Sequence, residues 1–211
     1  MLVVKTSAKL ISHTPEPERL IELAARQCYN SRDKITATSA AEFCSRILKS
    51  GHFSVLEMAN ATFDMVVDRG VLGELTRHRI GMSYAVQSTR FCDYSKDKYS
   101  REVAFVQPQQ ITPAEMDIWR DACINAEQSY MALREGGVKP EIARSVLPMC
   151  LATPLTVNGN FRAWLHFLKL RVSEKAHPDI RVLAMMVWEQ LHDIAPSIFE
   201  MTYNELLALP I

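Results

Sequence analysis

Three cationic residues in a row, Arg77-His78-Arg79, are followed after eight residues by Ser88-Thr89-Arg90. Arginine forks match phosphate oxygens bidentately and hydroxyls add single donors, so a set of this kind can hold an anionic group. A solvated basic helix end, its cations favoured by the C-terminal dipole, would leave the same letters. Neither the stretch from Arg77 to Cys92 nor that from Arg144 to Ser173 contains an Asp or Glu, and the second carries Arg144, Arg162, His166, Lys169 and Arg171. At about 100° per helical residue, Arg162, His166, Lys169 and Ser173 share one stripe, while Trp164, Phe167, Leu168 and Arg171 lie on the other side. Arg171 therefore either snorkels to water from a helix end or sits in a dry pocket, where its charge is little screened and can meet an anion.

The rest of the composition narrows the classes. With 24 Lys+Arg against 24 Asp+Glu in 211 residues and a pI near 7.0, the chain is neither a strongly basic nucleic-acid binder nor an acidic tail protein. Its longest apolar run, Val182 to Trp188, is far short of the roughly 20 residues of a membrane span. The opening MLVVKTSAKL does not read as a signal peptide, so a cytoplasmic location is expected. The five cysteines, Cys28, Cys44, Cys92, Cys123 and Cys150, form no CxxC and read as reduced, buried thiols. No HExxH or HxH appears, so no metal site is expected, and neither GxGxxG nor GxxxxGK[ST] is present. Any nucleotide must be held largely by side chains.

The elements that position these residues follow from periodicity. A short strand opens the chain at Leu2 to Lys5, and helices are predicted over Glu16 to Tyr29 and Thr38 to Ser50, the second stopped by Gly51. Asn60 to Val67 alternates as a half-buried strand. Gly70 to Arg79 reads as a short helix, Ser88 to Tyr94 has no clear period, and Val103 to Val106 reads as a strand. Thr112, Pro113 and Glu115 form a capping box that opens a long helix ending at Gly136-Gly137. Another helix is predicted from Lys139-Pro140 through Arg144, a strand over Leu151 to Val157, and helices over Asn160 to Val172 and Asp179 to Ile194. Without regular βαβ alternation, repeats or linkers, the expectation is one α+β domain over residues 1–211, with a small, mostly antiparallel sheet.

Taken in order, these segments resemble the flavin-dependent thymidylate synthase family. Arg77-His78-Arg79 with Ser88-Thr89-Arg90-Phe91 is similar to its RHR, seven residues, S signature, continued as SxRY. Gly51-His52-Phe53-Ser54-Val55-Leu56-Glu57 resembles its GHxS/TxxE segment, Ala143 to Pro148 its ARxxLP segment, and Asn160-Phe161-Arg162 with Phe167 to Arg171 its NxR...FLxLR helix. Three positions depart from the pattern. The loop before Ser88 is one residue longer, Val86 and Gln87 stand where an acid is usual, and Met58 replaces a histidine.

The resemblance implies reductive methylation of dUMP to dTMP, with 5,10-methylenetetrahydrofolate as carbon donor, FAD as redox carrier and NADPH as reductant. It implies that Glu74, Arg77, Gln87, Ser88, Thr89, Arg90, Arg144 and Arg171 hold the nucleotide, with Arg171 as the catalytic cation near N3 of the pyrimidine. Ser54, Arg77, His78, Arg79, Ile80, Asn160, Phe161, Arg162 and His166 are implied to line the FAD site. It further implies a homotetramer with active sites at subunit interfaces, and no nucleic-acid or membrane partner. Methylation of another uracil nucleotide such as UMP, or a non-catalytic nucleotide-binding homologue, remain the alternatives.

Overall fold

The computed structural model describes residues 1–210, beginning with strands β1 (Leu2–Val4) and β2 (Ser7–His13) and helices α1 (Pro17–Cys28) and α2 (Ser39–Ser50). Strand β3 (Asn60–Val67), helix α3 (Arg69–Leu75), strands β4 (Met82–Val86) and β5 (Ala104–Val106), and the long helix α4 (Pro113–Glu135) follow. One turn, α5 (Pro140–Ala143), leads to strand β6 (Thr153–Asn160), then helices α6 (Phe161–Arg171), α7 (Pro178–Ile194), α8 (Pro196–Phe199) and α9 (Tyr203–Ala208). The fold is α+β. Its main sheet has the order β2-β3-β6-β4 with every pairing antiparallel, and β1 and β5 form a separate parallel pair.

The alternation in β3 sends Ala61, Phe63, Met65 and Val67 into the core, where α6 answers with Trp164, Phe167 and Leu168. The Trp164 ring stands edge-on to Phe63 at 5.1 Å, and its Nε1–H donates to the Ala61 carbonyl at 3.1 Å, so the buried indole leaves no orphan donor. Helix α7 covers the same face and manages the free edge of the sheet. Its Gln190 side chain donates to the Ala8 carbonyl and accepts from Leu10 N–H, occupying groups that an edge strand would otherwise leave open. A second apolar cluster, including Val103, Phe105, Cys123, Tyr130 and Leu151, seats α4.

Several boundaries differ from the periodic reading. The helix predicted over Gly70 to Arg79 stops at Leu75, leaving Arg77-His78-Arg79 on the turn that follows. Two strands carried no sequence expectation, β2 and β4, and the latter turns the supposed loop before Ser88 into sheet. The strand predicted to begin at Leu151 begins at Thr153 and runs to Asn160. Helix α5 ends at Ala143, and Arg144–Val146 form a tighter 3-10 turn. Among the described residues, no helix is long and apolar enough to cross a membrane.

Candidate active site

Two features of local backbone build the floor of the basic cavity. Asn160 ends β6 and begins α6, its Oδ1 accepting from Ala163 N–H at 2.9 Å as a helix cap. Opposite it, Gly81 adopts φ 73°, and a Cβ there would lie 2.6 Å from Asn160 Nδ2. Only glycine lets the turn after Arg79 approach the cap this closely. The result is a half-open cavity of about 550 Å³ that brings together Arg77, His78, Arg79, Asn160, Arg162 and His166, with Ile80 and Glu57 at its margin.

Arg77 and Arg79 are exposed and, among the described residues, make no side-chain hydrogen bond or ion pair within the chain. Arg162 pairs with Glu57 at 2.7 Å, both half exposed, and also borders a neighbouring cavity of about 450 Å³ with His52, Ser54 and Tyr29. Arg162 thus borders both compartments. Two of the residues expected at the cofactor lie apart from the first cavity. Phe161 offers that cavity no side-chain surface, because as the first residue of α6 it turns into the core against Phe199. Ser54 belongs to the second compartment rather than the one around Arg79.

Arg171 does not line the cavity around Arg79 but reaches it through His78, and its side chain is 16% exposed. Its Nη1 donates to Glu74 Oε2 at 2.7 Å, Nη2 to the Glu74 carbonyl at 3.1 Å, and Nε to His78 Nε2 at 2.9 Å. An arginine Nε can only donate, so His78 Nε2 accepts and its proton sits on Nδ1. Burial, then the charges of Arg171 and His166, push His78 down to about 4, which keeps it neutral at physiological pH. The ring is wedged edge-on against Phe167 at 5.2 Å and His166 at 5.8 Å. The helical wheel separated Arg171 from the Arg162 and His166 stripe; in three dimensions His78 touches both sides and joins them.

The remaining expected substrate residues form a second cluster. Arg144 Nη1 donates to the buried Thr89 hydroxyl at 2.7 Å, Arg90 lies 3.5 Å from Glu141, and Ser88 precedes them in the same turn. Just beyond, Asp93 receives the fork of Arg134 from α4 at 2.7 and 3.0 Å, which pins the turn to the long helix. None of Ser88, Thr89, Arg90 and Arg144 lines the cavity of Arg77 to Arg79. Gln87 pairs its backbone N–H with Pro154 and faces a third cavity with Tyr94, Lys98 and Tyr99. Sequence reasoning named His52 and Glu57 only as parts of a matching segment and gave them no role, and it passed over Gly81 and Tyr84. The cavity borders carry the first three, while Tyr84 Oη lies 2.8 and 2.7 Å from the carbonyls of Leu75 and His78 and holds the Arg77 to Arg79 turn in place.

A mixed fold that carries one arginine-lined cavity and a second arginine-hydroxyl cluster can hold anionic groups at two places. The description of the family "Thymidylate synthase complementing protein" matches residues 9–197, and the chain belongs to that family. Its relatives include a flavin-dependent thymidylate synthase of Geobacter sulfurreducens, 37% identical over 199 residues, covering 90% of this chain and 84% of that protein. One from Mycobacterium avium is 37% identical over 201 residues, covering 85% of this chain and 77% of the relative. By family, then, the chain is a methyltransferase of the flavin-dependent thymidylate synthase type. Among solved structures, the UMP/dUMP methylase PolB from Streptomyces cacaoi, bound with 5-Br dUMP, superposes with a TM-score of 0.79 at 22% identity, covering 95% of this chain and 96% of that one. At that identity the likeness speaks to the fold.

Proposed function

We propose that this protein methylates dUMP to dTMP, taking the carbon from 5,10-methylenetetrahydrofolate and reducing equivalents from NADPH through FAD. The observation that carries the reading is the cavity in which Arg77, Arg79 and Arg162 meet around Asn160 and two histidines, joined through His78 to the half-buried Arg171. The donor set fits FAD. Cationic forks and a glycine-floored turn suit a pyrophosphate, and the second compartment at His52 and Ser54 leaves room for the rest of a long molecule. When bound there, the flavin would supply the hydride chemistry that the protein itself lacks.

The chain's own residues supply orientation and charge. Methylation needs the uracil C5 to attack an electrophilic carbon, and C5 is nucleophilic enough only while negative charge builds on the ring; that charge is spent as the new carbon–carbon bond forms. Arg171 keeps one N–H on Nη1 and one on Nη2 free, fixed in direction by its other bonds and aimed from a largely dry site, so it stabilises that charge without reorganising. Ser88, Thr89, Arg90 and Arg144 take the phosphate. No thiol serves as a nucleophile in this account: burial holds Cys44 and Cys123 up at about 12, so neither carries a useful thiolate fraction.

A nucleotide has a base end and a phosphate end, and one chain holds the corresponding groups in separate clusters. This supports a site assembled between copies, in which one subunit brings Arg171 and Arg77 and another brings Ser88 to Arg90 and Arg144. The homotetramer of this reading rests on the family resemblance, and its cytoplasmic location on the sequence expectation. Methylation of UMP is a second reading. It is favoured by Val86 and Gln87 on and after β4, where the family usually has an acid. Purified protein incubated with FAD and passed through gel filtration should be yellow and should oxidise NADPH at a rate that changes with dUMP. Protein that elutes colourless contradicts the flavin reading.

A further inference from the structure

Arg171 does not meet its pocket as a free cation. A guanidinium has five N–H groups, and three of them are engaged within the chain, two by Glu74 and one by His78. Glu74 sits in the last turn of α3, where the helix dipole disfavours a carboxylate and a glutamine would satisfy the same geometry. Its position is explained by its partner, not by its helix. The surrounding groups are rigid: Tyr84 of β4 pins both the end of α3 and the His78 carbonyl, and Phe167 and His166 of α6 clamp the His78 ring. The other charged groups of the adjoining cavity are Arg77 and Arg79 on the turn, Arg162 on α6 and Glu57 beside it. Glu74 therefore supplies the carboxylate in contact with Arg171 in a basic neighbourhood.

We propose that Glu74 is a positioning residue for Arg171: its carboxylate holds Nη1, beside the main-chain carbonyl that holds Nη2, and offsets part of the guanidinium charge, so that the two remaining N–H groups meet the pyrimidine as directed donors and not as a bare cation. The inference rests on the reading that Arg171 faces the uracil ring. It assigns Glu74 to Arg171 and not to direct contact with the nucleotide. A bare guanidinium would favour a pyrimidine already deprotonated at N3; a partly neutralised one favours the neutral ring and reserves its effect for charge that develops during reaction.

Two measurements test this. The first uses the ligand-free protein and the ¹⁵N signals of histidine. The Arg171 anchor requires the Nδ1–H tautomer of His78, so wild type and Glu74→Gln should show that tautomer, while Glu74→Ala, which removes the carboxylate bond to Nη1 and leaves only the main-chain carbonyl on Nη2, should gain a share of the Nε2–H form. An unchanged His78 tautomer in folded Glu74→Ala overturns the positioning role. The second uses 5-fluoro-dUMP, whose fluorine acidifies N3, followed by ultraviolet absorbance across neutral to alkaline pH, where His78 stays neutral. In Glu74→Gln the bound nucleotide should ionise about one pH unit lower than in wild type, a tenfold change in the ionised fraction at a given pH. An unmoved midpoint, or complete loss of nucleotide binding in Glu74→Gln, overturns the inference, the latter by making Glu74 a direct ligand. Failure of wild type to bind the nucleotide would instead strike the proposed function, and the histidine spectrum would still decide the positioning of Arg171.

Discussion

Removing the Arg171 guanidinium takes away the two directed donors that face the site and leaves Glu74 and His78 without their shared partner. Loss of one preorganised donor of this kind costs about 10²- to 10³-fold in rate. Arg171→Ala is therefore expected to stay yellow, since Arg79, Asn160 and Arg162 remain, while dTMP formation falls by about that factor. Arg171→Lys should recover little, because an ammonium cannot reproduce a planar fork held on three sides. Formation of dTMP within about threefold of wild type would mark Arg171 as a snorkelling helix-end residue. Cysteine replacements test the opposite kind of claim: Cys92→Ser and Cys150→Ser should retain turnover wherever they retain fold and flavin, and a folded, yellow, inactive variant would contradict a thiol-free mechanism. At this scale the sequence disclosed the residue types but not their pairings. Arg171 and Glu74 lie 97 positions apart, and Arg162 and Glu57 lie 105 apart, so no local period could reveal either contact.

Among the elements, the turn between α3 and β4 sets the site. Helix α3 stops early because no apolar residue directly follows Leu75 to extend its buried face; the Leu75 carbonyl takes the His78 N–H, and the Tyr84 hydroxyl lies within reach of the carbonyls of Leu75 and His78. Tyr84, Met82 and Val86 pack toward the core from one face of β4, a short alternation that was hidden because the segment reads as a spacer between two motifs. The long, fully capped α4 and the alternating β3 were legible for the opposite reason: each carries its own complete signal. Two glycines a few residues apart make a matched test of the turn. At Gly81, a φ of 73° and a Cβ contact of 2.6 Å with Asn160 make Gly81→Ala destabilising and damaging to flavin retention. At Gly73, inside α3 with no heavy atom within 4 Å of a new Cβ, Gly73→Ala should stabilise the protein by about 0.5–1 kcal/mol. Urea melts and flavin absorbance after gel filtration read both; equal effects at the two positions would show that the Gly81 turn does not shape the site.

For the molecule as a whole, acidification should read out the buried histidine before the carboxylates. An unfolded histidine takes up a proton near pH 6.5, while folded His78 resists until about 4, so the unfolded state binds more protons in that window and stability falls as the pH falls through it. The slope from this one group is at most about 1.4 kcal/mol per pH unit. The Arg134 fork holds Asp93 well below the usual carboxylate range, and its contribution, present above about pH 3.8, is lost only on further acidification. Urea midpoints between pH 6.5 and 5 should therefore decline in wild type and flatten in His78→Gln; an identical slope in the variant would remove His78 as the cause. The central claim is the reaction itself. Protein supplied with FAD, NADPH, ¹³C-labelled 5,10-methylenetetrahydrofolate and equal dUMP and UMP should yield ¹³C-labelled dTMP as its main nucleotide product, with none formed when either FAD or NADPH is withheld. Label appearing only in 5-methyl-UMP, or in no nucleotide while the protein remains yellow, would contradict it.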